Sequence, residues 1–158
     1  MKAKILTMTL LVILLFTATA MAAKPIIKAD QQYLDINTGL YVLDGNVYIE
    51  VKNRIITAGH AKVSLASLEV WGTGGITVTQ DDIYFTGDSV YVYGANDRAT
   101  IDGKINFCRG NITVLSDHVD YNWRDKNALF SGNVKVTQND NTFTADSIKY
   151  NIETNTIL

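Results

Sequence analysis

The residues of this chain that could do chemistry are few, and their spacing does not favour it. Two histidines, His60 and His118, stand 58 positions apart, which is not the spacing of metal ligands. Both alternate with apolar positions and fall in equivalent columns of a repeat, so they read as solvated residues of an outer face. The lone thiol, Cys108, cannot close an internal disulfide and shares an outward column with Glu50, Thr79 and Thr137, which makes it an unpaired surface cysteine. Gly72-Thr73-Gly74-Gly75 is glycine-rich, but an apolar strand follows it and not the helix N-terminus that would cradle an anion. Asn111-Ile112-Thr113 matches a glycosylation sequon and reads as chance in a turn. Serine, threonine and aspartate occupy turns and outward strand positions without triad, paired-carboxylate or phosphate-loop spacing. The expectation is a protein that is not an enzyme, with no metal and no cofactor.

The elements that carry these residues begin after an export signal. Lys2 and Lys4, the apolar stretch Ile5 to Phe16 and the small-x-small site Ala20-Met21-Ala22 predict a cleavable signal peptide over residues 1–22, with a domain over 23–158. Removing it leaves 136 residues with 12 basic and 16 acidic side chains, a formal charge of −4. That is one mildly acidic domain. With 47% apolar and 19% charged residues it is too greasy for a disordered tail, and without basic excess it has no nucleic-acid partner. After Phe16 no apolar run reaches the roughly 18 residues of a membrane helix.

Gly45, Gly74, Gly103 and Gly132 recur every 29 residues without a gap. The same register aligns Val47, Ile76, Ile105 and Val134, then Ile49, Val78, Phe107 and Val136, then Ile56, Phe85, Val114 and Phe143. Within each unit the apolar period is 2, the signature of strands. Of the twelve positions two before, two after and four after each glycine, eleven are apolar and Gly72 is the exception. Turn residues at Asn37-Thr38-Gly39, Lys52-Asn53, Asp81-Asp82, Asn96-Asp97, Gly110-Asn111, Asp125-Lys126 and Asn139-Asp140-Asn141 divide each unit into two long strands.

Two columns carry three-dimensional information. By parity with Leu43 and Val47, the repeated glycine points into the apolar interior, so Gly45, Gly74, Gly103 and Gly132 are expected to act as hinges where the inside is narrow. Around Ala58-Gly59 the parity slips: Ile56 is inward by an even number and Ala61 and Val63 by odd ones, and the slip recurs from Phe85 to Val90, Val114 to Val119 and Phe143 to Ile148. A parity switch at a fixed place is a bulge or corner. The chain is therefore expected to stack creased strands into a folded sheet with an apolar inner surface. Whether that surface closes as a dry core or stays apart as a groove is not separable from the pattern, and bare periodicity leans to the core. Tyr91 and Tyr93 are outward and could mark a contact surface.

The phrases Leu43-Asp44-Gly45-Asn46-Val47, Phe130-Ser131-Gly132-Asn133-Val134-Lys135-Val136 and Thr144-Ala145-Asp146-Ser147-Ile148-Lys149-Tyr150 resemble the repeated pattern of the OstA-like lipopolysaccharide-transport family. The resemblance covers Ala29 to Leu158, and its second and third glycine phrases, Gly72-Thr73-Gly74-Gly75-Ile76 and Asp102-Gly103-Lys104-Ile105, depart from the motif. It implies an all-β creased antiparallel jellyroll, the β-taco, in the periplasm. It further implies lipid A acyl chains of lipopolysaccharide lying in the groove, and end-to-end assembly with LptC-like and LptD-like proteins into a bridge between inner and outer membrane. The walls of such a groove would be Val47, Ile49, Ile76, Val78, Ile105, Phe107, Val134 and Val136 on one side and Ile56, Phe85, Val114 and Phe143 on the other. The alternative is a structural or interaction β-repeat with a closed core and no cargo. At about 4.8 Å per strand one protomer spans only about 45–50 Å. Head-to-tail self-association is therefore expected, through an edge of Tyr33, Leu34 and Ile36 meeting one of Ile148, Tyr150 and Ile152.

Overall fold

A computed structural model describes residues 26–51 and 53–158; the signal segment 1–22 lies outside the described residues. Strands β1 (Ile26–Lys28) and β2 (Gln31–Asp35) are followed by β3 (Leu40–Val51), β4 (Arg54–Ser64), β5 (Glu69–Gln80), β6 (Ile83–Gly87) and β7 (Ser89–Tyr93). After a single 3-10 turn at Gly94–Asn96 come β8 (Arg98–Arg109), β9 (Ile112–Asn122), β10 (Asn127–Gln138), β11 (Asn141–Asn151) and β12 (Thr156–Ile157). The glycine-bearing strands β3, β5, β8 and β10 begin at Leu40, Glu69, Arg98 and Asn127, each 29 residues after the last. Every pairing is antiparallel, and the long strands pair in the order of the sequence, so the chain makes one meandering sheet.

The sheet is creased across its middle, along one line. β1 and β2 both pair with β3, and β6 and β7 together fill the place between β5 and β8, so each of these pairs is one strand broken at the crease. At the same level the long pairs shift register, between Asp44 and Val47 in β3, Asp102 and Ile105 in β8, and Ser131 and Val134 in β10. The extra residue lies in the glycine strand every time. Leu43 and Val47 pair with Ala61 and Ala58, so the three residues between the first two face only two, which is a bulge. The bend costs the shorter strand one step of parity, and the bulge restores parity on the longer one.

The crease glycines do not point into the apolar interior, which corrects the expectation from parity. Gly45, Gly103 and Gly132 have φ of +75°, +82° and +75°, and the residues after them, Asn46, Lys104 and Asn133, are left-handed too. Two successive left-handed residues turn the strand, so alternation cannot be carried through them. A Cβ on Gly45, Gly103 or Gly132 would meet the side chain of Asp30, Asp88 or Asp117 on the preceding strand. Those aspartates share one column of the 29-residue repeat, which also holds Gly59 and Asp146, and they close the corner. Asn46 Nδ2 donates to Asp30 Oδ2 at 2.9 Å and Asn133 Nδ2 to Asp117 Oδ2 at 2.6 Å, while the Asp30 N–H donates to the Gly45 carbonyl at 2.8 Å. In the second unit the aspartate is replaced by Gly59 and the asparagine by Gly75, so both halves of the corner device are absent together.

The crease divides the sheet into two leaves. One contains Val47, Ile76, Phe85, Ile105, Phe107, Val114, Val134 and Val136, and the other Leu43, Ala61, Val63, Ile101, Val119, Phe130, Ile148 and Tyr150. A large buried cluster runs from Ile76 to Tyr150, and a small separate one, Leu43, Val47 and Ala61, lies near the N-terminal strands. The core is thus concentrated in the C-terminal half.

Candidate functional site

Between the leaves lies a cleft of about 1740 Å³. It is far larger than an ordinary small-molecule pocket. One leaf lines it with Ile27, Val47, Ile49, Ile56, Ala58, Ile76, Val78, Ile83, Phe85 and Phe107. The other contributes Tyr41, Leu43, Ala61, Val63, Val70, Val90, Val92, Ala99, Ile101, Val119, Tyr121 and Phe130. Ile49, Ile56 and Val78 are only partly buried, although strand alternation aims them inward. The cleft runs over them, so apolar surface is left facing apolar surface across a gap. Gly72, the break in the apolar column, is accounted for here: a Cβ would come within 2.8 Å of Val90 Cγ1, which fills its place.

The expected wall residues divide into three groups. Val47, Ile49, Ile56, Ile76, Val78, Phe85 and Phe107 reach the cleft. Ile105, Val114, Val134 and Val136 do not; they are sealed in the dry core of the C-terminal half, at 2%, 0%, 1% and 0% exposure. Phe143 is neither. It is 44% exposed on β11, because the sheet offers it only the β10 neighbour there. The residues omitted from that expectation are those of the opposite leaf, such as Val63, Val92, Ile101 and Tyr121. Their parity past the crease already marked them as inward.

Apart from Asp30 at the crease, the charged residues lining the cleft lie on its rims. Arg54 and Gln80 lie on one, joined by an Nε to Oε1 bond of 2.8 Å, and Asp97, Lys126 and Glu153 lie on the other. Burial pushes the Tyr121 phenol above its usual value, and the positive charge of Arg54 opposes this only in part. The Tyr150 phenol is likewise raised by burial against the pull of Arg109. Neither group is poised for proton transfer near neutral pH.

The remaining chemistry-bearing residues stay on the outer surface. His60 Nδ1 pairs with Asp44, and His118 Nδ1 with Asp102 at 2.6 Å, two equivalent exposed pairs beside the crease. Cys108 is half-buried between Asn106 and Thr113, and unpaired. Among the described residues no three histidine, cysteine or acidic side chains converge as metal ligands. Trp71 and Tyr91 stack at 5.3 Å on the outer face, with Tyr93 edge-on to Tyr91 at 4.3 Å. Burial and a hydrogen bond to Glu69 raise the Tyr91 phenol.

At the N-terminal edge Tyr33, Leu34 and Ile36 are exposed, at 48%, 45% and 86%. The expected C-terminal edge is different. Ile148 and Tyr150 bury their side chains in the core, Ile152 packs against it, and β12 pairs with Tyr150 and Asn151. Only the Asn141–Lys149 part of β11 lacks a second neighbouring strand among the described residues.

Comparison with known proteins agrees with this architecture. Residues 26–156 match the family described as LptA/(LptD N-terminal domain) LPS transport protein. The fold is similar to that of LptH, the LptA homologous periplasmic component of the lipopolysaccharide transport device from Pseudomonas aeruginosa. The TM-score is 0.53 at 15% identity, over 62% of this chain and 75% of that one. No curated protein matches the sequence significantly.

Proposed function

The chain belongs to the LptA and LptD N-terminal-domain family of lipopolysaccharide-transport proteins, and from this and the cleft we propose that it carries lipopolysaccharide through the periplasm with the acyl chains held between its leaves. The observation that carries the reading is the cleft between the facing apolar walls, where Ile49, Ile56 and Val78 are incompletely covered. An acyl chain between them supplies the missing contacts, at about 0.8 kcal/mol per buried CH₂ before ordering costs. The leaves bind and shield, with no bond made or broken, so carriage needs no catalytic group and no cofactor. Exported by its signal segment, the protein works as one unit of an end-to-end assembly. The edge at Tyr33, Leu34 and Ile36 and the uncovered length of β11 are the surfaces that LptC-like or LptD-like partners, or a second copy, would extend.

A photo-crosslinker in place of Val78 tests the cargo. It should capture lipopolysaccharide in cells, while one at the neighbouring outward Thr79 should not. Equal capture at both, or at neither, would refute lipid in the cleft. Sedimentation across a concentration series tests self-assembly, where growth beyond a dimer is expected.

A further inference from the structure

The cleft is not equally open along the stack. The cleft reaches along the far leaf to Ala99, Ile101, Val119, Tyr121, Ala128 and Phe130, but at Phe107 the two leaves meet. Phe107 of one leaf lies 5.5 Å from Phe130 and 5.1 Å from Tyr150 of the other, ring centre to ring centre, and Phe85 abuts Phe107 at 6.2 Å. Behind this aromatic stop Val114 and Val136 are completely buried.

At the same end one side chain spans the mouth. Arg109, the last residue of β8, sits on the rim that carries the β3–β4, β5–β6 and β8–β9 turns; its Nε donates to both carboxylate oxygens of Asp82 on that rim, each at 3.2 Å. Its Nη1 donates to the main-chain carbonyl of Ile152 on the opposite rim. That carbonyl is itself held, because the Ile152 N–H donates to the Lys126 carbonyl at 2.8 Å. The guanidinium also lies beside the Tyr150 hydroxyl, over the aromatic stop. Among the described residues this is the one side-chain hydrogen bond from rim to rim. The equivalent positions in the other units are Val51, Gln80 and Gln138, which lack the charge and the forked reach of arginine.

We propose that Arg109 is a gate residue: its bond to Ile152 keeps the C-terminal end of the cleft shut, so acyl chains stay on the near side of Phe107 and advance past it only when that bond opens. The inference rests on the lipid-carrying reading above and adds to it a direction and a stopping point. A bond from one fixed carboxylate across to a fixed carbonyl holds the leaves at a set separation, and the rings beneath it part only if that separation grows. The gate is a binary element, either packed or open, because close-packed rings have no stable intermediate spacing.

The test uses the whole mature protein and myristic acid carrying a terminal diazirine, with labelled peptides mapped by mass spectrometry. In the wild type, labelling should fall on β5 and β6 and stay at background on β11, which lies behind the aromatic stop. In Arg109→Gln, which installs the side chain found at positions 80 and 138, it should extend to β11 at a level comparable with β5. Asp82→Asn frees the other end of the arginine without touching the core and should give the same extension in smaller degree; it carries the test should Arg109→Gln lose its fold by circular dichroism. Equal labelling of β5 and β11 in the wild type would overturn the gate, as would an unchanged pattern in both variants. Labelling absent everywhere would refute the lipid-carrying reading itself, and with it the gate.

Discussion

Replacing Gly103 with alanine tests the crease, since the cost can be worked from the corner's geometry. Gly103 has φ +82°, and an alanine there pays roughly 1–2 kcal/mol for the left-handed backbone. Its Cβ would lie 2.3 Å from Asp88 Oδ2 and 2.8 Å from both Cβ and Cγ of Asp88. The carboxylate could swing away, but the Asp88 Cβ cannot, because the Asp88 N–H is tied to the carbonyls of Asp102 and Gly103 at 3.0 Å. Forcing a methyl into that space adds about 1–3 kcal/mol, for a total of about 2–5 kcal/mol. Gly110 supplies the control: its φ is +54° with nothing within 4 Å of the added Cβ, so Gly110→Ala should cost only the backbone part. Urea denaturation of the mature protein measures both. The clash is isolated by repeating Gly103→Ala in an Asp88→Gly background, which imitates the Gly59 and Gly74 corner; there its cost should fall to that of Gly110→Ala, a coupling of about 1–3 kcal/mol. Equal losses for Gly103→Ala and Gly110→Ala, or no coupling to position 88, would refute the packed corner.

Within the C-terminal half, Ile112→Ala should destabilise by about 2–5 kcal/mol by opening a cavity in a residue only 1% exposed, whereas Ile36→Ala, at a residue 86% exposed, should stay within about 0.5 kcal/mol; denaturant midpoints decide. Alkaline stability should fall because Tyr121 and Tyr150 hold their protons more tightly folded than unfolded. Their contribution is whole below pH 10.0, the ordinary tyrosine value, and is lost as pH rises above it toward the raised folded values. Tyr121→Phe should flatten that fall in a series of thermal melts from pH 8 to 11, and an unchanged slope would show that its burial does not govern the alkaline limb. Tyr33→Asp should suppress any concentration-dependent growth in sedimentation while leaving the circular dichroism spectrum unaltered; growth that persists would place the contact elsewhere.

Strands, turns and the existence of a crease were legible in the sequence because each depends on near neighbours. Alternation with period 2 marks Leu43, Val47 and Ile49 as one face, turn residues end the strands, and a slip of parity between Ala58 and Ala61 marks a bend wherever the rest of the chain lies. The family resemblance was legible for the same reason, since Gly-Asn and Ala-Asp are the two halves of the corner, repeated often enough to be seen. Tertiary structure alone decided what those halves do to each other. The parity rule fails at Gly45, Gly103 and Gly132 because two successive left-handed residues redirect the chain, and only the neighbouring strand shows that an aspartate fills the space a side chain would need. It also decided which inward residues face a gap and which face each other. Val78 and Val136 occupy the same column of the repeat, yet one lines a cleft and the other is sealed, because Phe107, Phe130 and Tyr150 meet across the leaves only at one end. Arg109 shows the limit most plainly: as a sequence symbol it is one more charge at a turn, and its bond to a carbonyl 43 residues away exists only because the folding of the sheet brings two rims together.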